Sequence, residues 1–307
     1  MLFEQAFYYL PEIMAGANYP AQDYEGGIVG AYTMALLQAL NGRNINNPIS
    51  RIKLEHPFRS IAPFFYGPTG KRRYLRADLH LNIGKIGAGS KRLAAYGWKH
   101  SNWLEAKYFR AFDSAGAAVA SKSQAKNTAS LLADLLRLTC LVPLEQVKGK
   151  SISGRYLLHV YTKEISDHIR ERNIGGKRQI RPWVKAITEP GRNNLATFSI
   201  SNETKSVLKE IGDPLKDVEI QLTSSNLVIT PDFNIPNSAN IMCVLSRIVD
   251  FQITYNKYTW ELRADGTSSE SHTTSYEKIS KFVAKNIGLK GKTEEQKPID
   301  VWTAEPG

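Results

Sequence analysis

Trp103-Leu-Glu-Ala-Lys-Tyr-Phe109 is the stretch on which the reading of this chain turns. A strand alternates its side chains between two faces, so Trp103, Glu105, Lys107 and Phe109 share one face and Leu104, Ala106 and Tyr108 the other. Both faces are mostly apolar, as in a strand covered on both sides. Glu105 and Lys107 interrupt that pattern, and a buried charge is costly unless it is paired or bound to a metal. Two other Glu-x-Lys tripeptides, Glu203-Thr204-Lys205 and Glu295-Gln296-Lys297, lie in polar surroundings. Both read as solvated charge pairs.

A second carboxylate is offered upstream by Tyr74-Leu-Arg-Ala-Asp-Leu-His-Leu81. Leu75, Ala77, Leu79 and Leu81 alternate with Tyr74, Arg76, Asp78 and His80, which predicts a half-buried strand with Asp78 and His80 on its polar face. If the two strands are neighbours, Asp78 stands beside Glu105 and Lys107. Two carboxylates suit a hard oxygen-liganded cation such as Mg²⁺, with Mn²⁺ as a substitute. Such an ion neutralises phosphate charge and activates a bound water. A lysine beside that water can orient it, and desolvation is expected to lower the lysine's pKa. Taken singly, Asp78 also reads as an ordinary strand residue, and Glu105 with Lys107 as a structural ion pair.

The 307 residues are 42% hydrophobic and 22% charged, an ordinary globular mix long enough for a substantial core. The six histidines are scattered without zinc-ligand spacing, and Cys140 and Cys243 sit far apart in apolar surroundings, as buried thiols do. The first residues carry no leader pattern, and the longest apolar run, Ile28 to Leu40, is too short to span a bilayer. The expectation is a cytoplasmic protein without membrane association. The net charge is +11. Residues 71–110 hold ten basic residues against Asp78 and Glu105, a net +8 around the two carboxylates. Such clustering is the footprint of a polyanionic partner. Lys71, Arg72, Arg73, Lys85, Lys91, Arg92, Lys99 and Arg110 are the candidate contacts. Gly84-Lys-Ile-Gly-Ala-Gly-Ser-Lys91 has neither P-loop nor dinucleotide-fingerprint order, so no nucleotide cofactor is expected.

Along the chain, residues 1–24 are aromatic and Pro-interrupted, with no clear period. Glu25 to Asn41 predicts a helix with Asp23 as a possible N-cap. Strands follow at Ile52–Phe58, in the Asp78 stretch and in the Glu105 stretch, then a helix over Ser123–Leu141 and a strand over Gly154–Thr162. A charged helix is expected over Lys163–Arg172 and a basic linker at Gly175–Pro182. The remainder predicts strands at Leu195–Ser201, Val218–Thr223, Leu227–Thr230, Ile241–Ile248 and Tyr255–Arg263, with helices at Glu203–Ile211 and Ser275–Asn286. Two regions are expected, a core over 1–175 with an N-terminal extension and a C-terminal α+β region over 176–307.

The order helix, three strands, helix, strand, with Asp78 on one strand and Glu105-x-Lys107 on the next, resembles the PD-(D/E)xK nuclease superfamily, which includes many type II restriction endonucleases. The resemblance covers about residues 25–162. It implies a mixed sheet flanked by helices, Asp78 and Glu105 as metal ligands, Lys107 as the catalytic lysine, and Glu25 as a possible additional acid on the first helix. Ala77 stands where the motif's name has proline. The activity so implied is Mg²⁺-dependent cleavage of double-stranded DNA, in restriction or anti-phage defence, by a homodimer matching a two-fold site. Arg178, Arg181, Trp183, Lys185 and Arg192 are candidate DNA contacts in the C-terminal region, which would supply recognition or dimerisation. The alternatives are a structure-specific repair or recombination nuclease, a nuclease effector of a defence complex, and a non-catalytic nucleic-acid-binding protein.

Overall fold

A computed structural model describes residues 2–16, 25–58, 65–66, 72–73, 75–84, 99–110, 124–231, 241–268 and 272–287. Helices α1 (Leu2–Phe7), α2 (Leu10–Gly16) and α3 (Glu25–Asn41) precede strand β1 (Ile52–Pro57). Strands β2 (Arg76–Asn82) and β3 (Ser101–Phe109) follow, then α4 (Gln124–Cys140) and β4 (Ser153–Tyr161). Beyond lie α5 (Ile165–His168), α6 (Pro182–Thr188), β5 (Gly191–Ser199), α7 (Lys205–Ile211), β6 (Val218–Ile229), β7 (Met242–Tyr255), β8 (Tyr258–Leu262) and α8 (His272–Asn286).

One mixed sheet runs β1-β2-β3-β4-β7-β6-β5, with β8 paired to β7. β1, β2 and β3 form an antiparallel meander, and β3 and β4 are parallel neighbours joined through α4. The remaining pairings are antiparallel. This is an α+β fold with helices on both faces. On one face Leu104, Ala106, Tyr156, Leu158 and Val160 meet α1 to α3. On the other Trp103, Phe109, Leu157 and Tyr161 meet α4, α6, α7 and α8. β3 and β4 therefore carry apolar residues on both faces, as a parallel pair must when helices cover it twice.

The long elements lie where the sequence placed them. The N-terminal segment differs: Leu2, Phe3, Phe7, Leu10 and Met14 are buried in two short helices packed against α3. Neither is long enough to show a helical period. The helix expected over Lys163–Arg172 shrinks to the single turn of α5. The expected linker at Gly175–Pro182 is a hairpin, Arg172–Ile174 against Lys177–Gln179, turning through Gly175 (φ 59°) and Gly176 (φ 82°) before α6. The strands expected at Val218–Thr223 and Leu227–Thr230 are one strand, β6, with a register shift between Thr223 and Ser224. Asp23 and Glu295-Gln296-Lys297 lie outside the described residues. No break in the sheet falls near residue 175, because β4 pairs with β7 along Tyr156–Tyr161. Among the described residues no helix is long and apolar enough to cross a membrane.

Candidate active site

β2 and β3 pair from Asn82↔Ser101 to Leu79↔Leu104 and then part. Below that point β2 stays with β1 through Ala77↔His56. The next ladder donor on β3, the Ala106 N–H, is taken by the Asp78 side chain, with Oδ2 at 2.6 Å. Asp78 thus fills the fork between the strands, and its carboxylate is turned toward Glu105. Glu105 is 1% exposed, and among the described residues its Oε1 has no hydrogen-bond partner. Glu55, opposite this fork on β1, adopts a left-handed backbone (φ 49°) in an edge strand.

Lys107 lies two residues farther along β3. Its Nζ stands 3.0 Å from Glu25 Oε1 at the start of α3, 3.0 Å from the Ala106 carbonyl oxygen and 3.1 Å from Asp134 Oδ2 on α4. Arg137 Nη1 donates to Asp134 Oδ1 at 2.7 Å and lies 3.9 Å from Glu105 Oε2. Helices from both faces of the sheet therefore reach around the C-terminal end of β3, and four carboxylates meet two cations there. The sequence brought Asp78, Glu105, Lys107 and Glu25 forward, and all four converge. It missed Asp134 and Arg137. The available signal was an acid inside Leu131-Leu-Ala-Asp-Leu-Leu-Arg-Leu138, on the helical ladder of buried leucines.

The electrostatics follow from burial and imbalance. Burial raises the Glu105 pKa well above the usual carboxylate value, and the neighbouring Asp134 adds to it. Asp78 is also raised by burial, opposed by Lys107 and the Ala106 N–H. Glu25 is raised by burial, opposed by Lys107. Burial alone pulls Lys107 down, but Asp134, Glu25, Asp78 and Glu105 outweigh it, and its pKa is raised. The lowered lysine expected from desolvation is thus corrected: the carboxylates win. Arg137 is raised for the same reason.

Among the described residues no three acidic, histidine or cysteine side chains are gathered as a ready metal cage. Asp78 and Glu105 nonetheless fit a hard cation. They are adjacent oxygen donors, one with a buried unpartnered oxygen, in a cluster with more acid than base. Two protein carboxylates with waters completing the shell is an arrangement Mg²⁺ accepts.

Other expected residues fall differently. His80 is buried instead of solvent-facing, stacked on His56 at 4.5 Å and 2.9 Å from Ser101 Oγ. Burial, with His56 and Lys53, takes its pKa down to about 3, so it packs as a neutral ring. Arg181 and Trp183 are buried too: Arg181 Nε lies 2.5 Å from Glu203 Oε2, and Trp183 Nε1 donates to Glu203 Oε1 at 3.0 Å. They are structural, and Glu203 is their buried acceptor instead of half of a solvated pair. Arg178, Lys185 and Arg192 are exposed. Arg110 follows the C-terminal end of β3, whereas Lys99 precedes the opposite end of that strand. Arg72 and Arg73 form a two-residue strand against Phe65–Tyr66. Lys71, Lys85, Lys91 and Arg92 lie outside the described residues. Compared with family models, curated proteins and solved structures, the chain matches none.

Proposed function

We propose that this chain is a divalent-metal-dependent DNA endonuclease of the PD-(D/E)xK type. The observation that carries the reading is the fork between β2 and β3, where Asp78 and Glu105 stand together with Lys107 two residues on. The meander β1-β2-β3, the helix α4 and the parallel strand β4 support it, being the order on which the resemblance rests. The net +8 of residues 71–110 supports a polyanionic substrate.

In this reading Asp78 and Glu105 hold the cation, Mg²⁺ or Mn²⁺. Bound there, the ion would offset phosphate charge and make a coordinated water more nucleophilic. Lys107 carries its proton at neutral pH, so it acts as a hydrogen-bond donor and not as a base. Its donors already face Glu25, Asp134 and the Ala106 carbonyl, so a substrate oxygen must displace one of them. Glu25 lies on the more exposed side and is the partner that yields. Restriction or anti-phage defence as the setting, a homodimer as the working form and a cytoplasmic location belong to the same proposal.

The test is digestion of plasmid DNA with Mg²⁺, with EDTA and the substitutions Asp78→Ala, Glu105→Ala and Lys107→Ala alongside. Metal-dependent cleavage abolished by each substitution supports the proposal, and discrete fragments favour restriction over structure-specific repair. Cleavage that survives all three substitutions removes the site. Salt-sensitive DNA binding without cleavage under any divalent metal favours a binding protein, a reading to which the self-pairing of Lys107 lends weight.

A further inference from the structure

At the opposite end of β3 the chain builds a second cluster, of the reverse sign. Lys99 leads into the strand, and its Nζ donates to the Ser151 carbonyl oxygen at 3.1 Å. The turn after β8 closes over it. Gly266 O accepts from Ser151 N at 2.6 Å, and a Cβ at Gly266 would lie 3.3 Å from Lys99 Nζ. Gly154 allows the close approach, since a Cβ there would meet Asn102 Oδ1 at 2.6 Å and Lys99 Cβ at 3.5 Å. Between these segments is a notch of about 10 Å³ lined by Lys99, Ser153, Arg247, Arg263 and Gly266.

One of its buried polar groups lacks a partner. Ser153 is 4% exposed, and among the described residues its Oγ has no hydrogen-bond partner. Burial, then Arg247 and Arg155, hold the Lys99 pKa below its usual value, so cations outweigh the nearby acid. That acid, Asp265, is bound into its own turn through Thr267 and stands 3.9 Å from Lys150. Arg247 lies 3.9 Å from Glu4, and Arg263 donates to Glu261 at 3.2 Å. A half-buried ammonium among like charges is unfavourable until an anion joins it.

We propose that this notch is a binding site for a phosphate group, one oxygen seated between Lys99 and Ser153 and the rest of the group outside against Arg247. A volume of about 10 Å³ is on the scale of one water-sized group, so most of a phosphate lies outside the notch. From Ser101 to Lys107 the strand covers roughly 20 Å at ~3.3 Å per residue, so the notch is separate from the acidic cluster. The proposal does not depend on nuclease activity.

The experiment is thermal unfolding of the full chain in sodium phosphate against sodium chloride at matched pH and ionic strength. Phosphate is expected to raise Tm by about 3 °C at a roughly tenfold excess over Kd. Lys99→Gln and Ser153→Ala should each lose most of that rise, whereas Glu105→Gln should keep it. A rise of full size in both notch variants, or no rise in the wild type, overturns the site. If Lys99→Gln does not fold, Ser153→Ala, which removes one hydroxyl, still decides. Binding of a short DNA duplex across a salt series then separates the sources. A slope of log K against log salt reduced by about one in Lys99→Gln assigns the seat to a nucleic-acid phosphate. An unchanged slope with a retained phosphate response in the wild type assigns it to free phosphate or a mononucleotide. Either result is read whether or not the chain cleaves DNA.

Discussion

A carboxylate at 1% exposure with one unpartnered oxygen opposes folding. Glu105→Gln should therefore stabilise the protein in EDTA by about 1–3 kcal/mol and, under the proposed function, abolish cleavage. The pH dependence carries the same sign. Glu105 and Asp78 have folded pKa values above their unfolded ones, near ~4.3 and ~3.9. Their contribution is full below those unfolded values and is lost as pH rises through the raised folded values. The raised Lys107 and Arg137 contribute constantly until pH passes about 10. In EDTA the Tm should fall as pH rises above the unfolded carboxylate values, less steeply in Glu105→Gln, and under the proposed function Mg²⁺ should restore it. An identical slope in the variant would refute this account of Glu105. Asp134→Asn removes one of the carboxylates holding Lys107 Nζ; under the proposed function it should lower kcat by about 10–100-fold with KM little changed, by analogy with partners that orient metal-site residues. Loss of fold in near-ultraviolet circular dichroism would instead make Asp134 purely structural. The sequence exposed Glu105 because its neighbours are apolar. It hid Asp134 because its surroundings read as one more amphipathic helix turn.

Elements in the C-terminal half are tied down by polar contacts that no pattern announces. Arg181, just ahead of α6, and Glu203, just ahead of α7, form a buried pair that also accepts from Trp183. Removing one partner strands a buried charge, so Arg181→Met should cost about 3–5 kcal/mol in urea denaturation. Arg181→Met with Glu203→Leu should recover most of it. A double variant as unstable as the single one would show that packing, and not the stranded charge, sets the loss. By sequence Arg181 and Trp183 are candidate DNA contacts alongside Arg178, Lys185 and Arg192. The hairpin before α6 and the burial of Trp183 against Phe198 turn them inward.

Across the whole molecule, the sheet joins both halves of the chain. β4 is buried along its full length and takes β3 on one side and β7 on the other. A fragment ending at 175 would expose the β4 edge and the apolar surface that β7, α7 and α8 cover. It should be insoluble or molten when expressed alone, lacking near-ultraviolet circular dichroism. A soluble fragment with a sharp unfolding transition would show an independent core. In the intact chain, the environments of Trp103 and Trp260 should report one urea midpoint, because both belong to one buried cluster.

Periodicity and burial logic sufficed for the long described elements of residues 25–161 and for singling out Asp78, Glu105 and Lys107, because strand alternation and helix spacing are local and a charge inside an apolar run is conspicuous. They could not give what depends on contacts distant in sequence. The pairing of Lys107 with Glu25 and Asp134, the reversal of its expected pKa shift and the burial of Arg181 against Glu203 belong to tertiary structure. So do the sharing of one sheet across residue 175 and the cationic notch at Lys99. In each case the deciding quantity is a sum of charges and desolvation over groups that only the folded chain brings within a few ångströms.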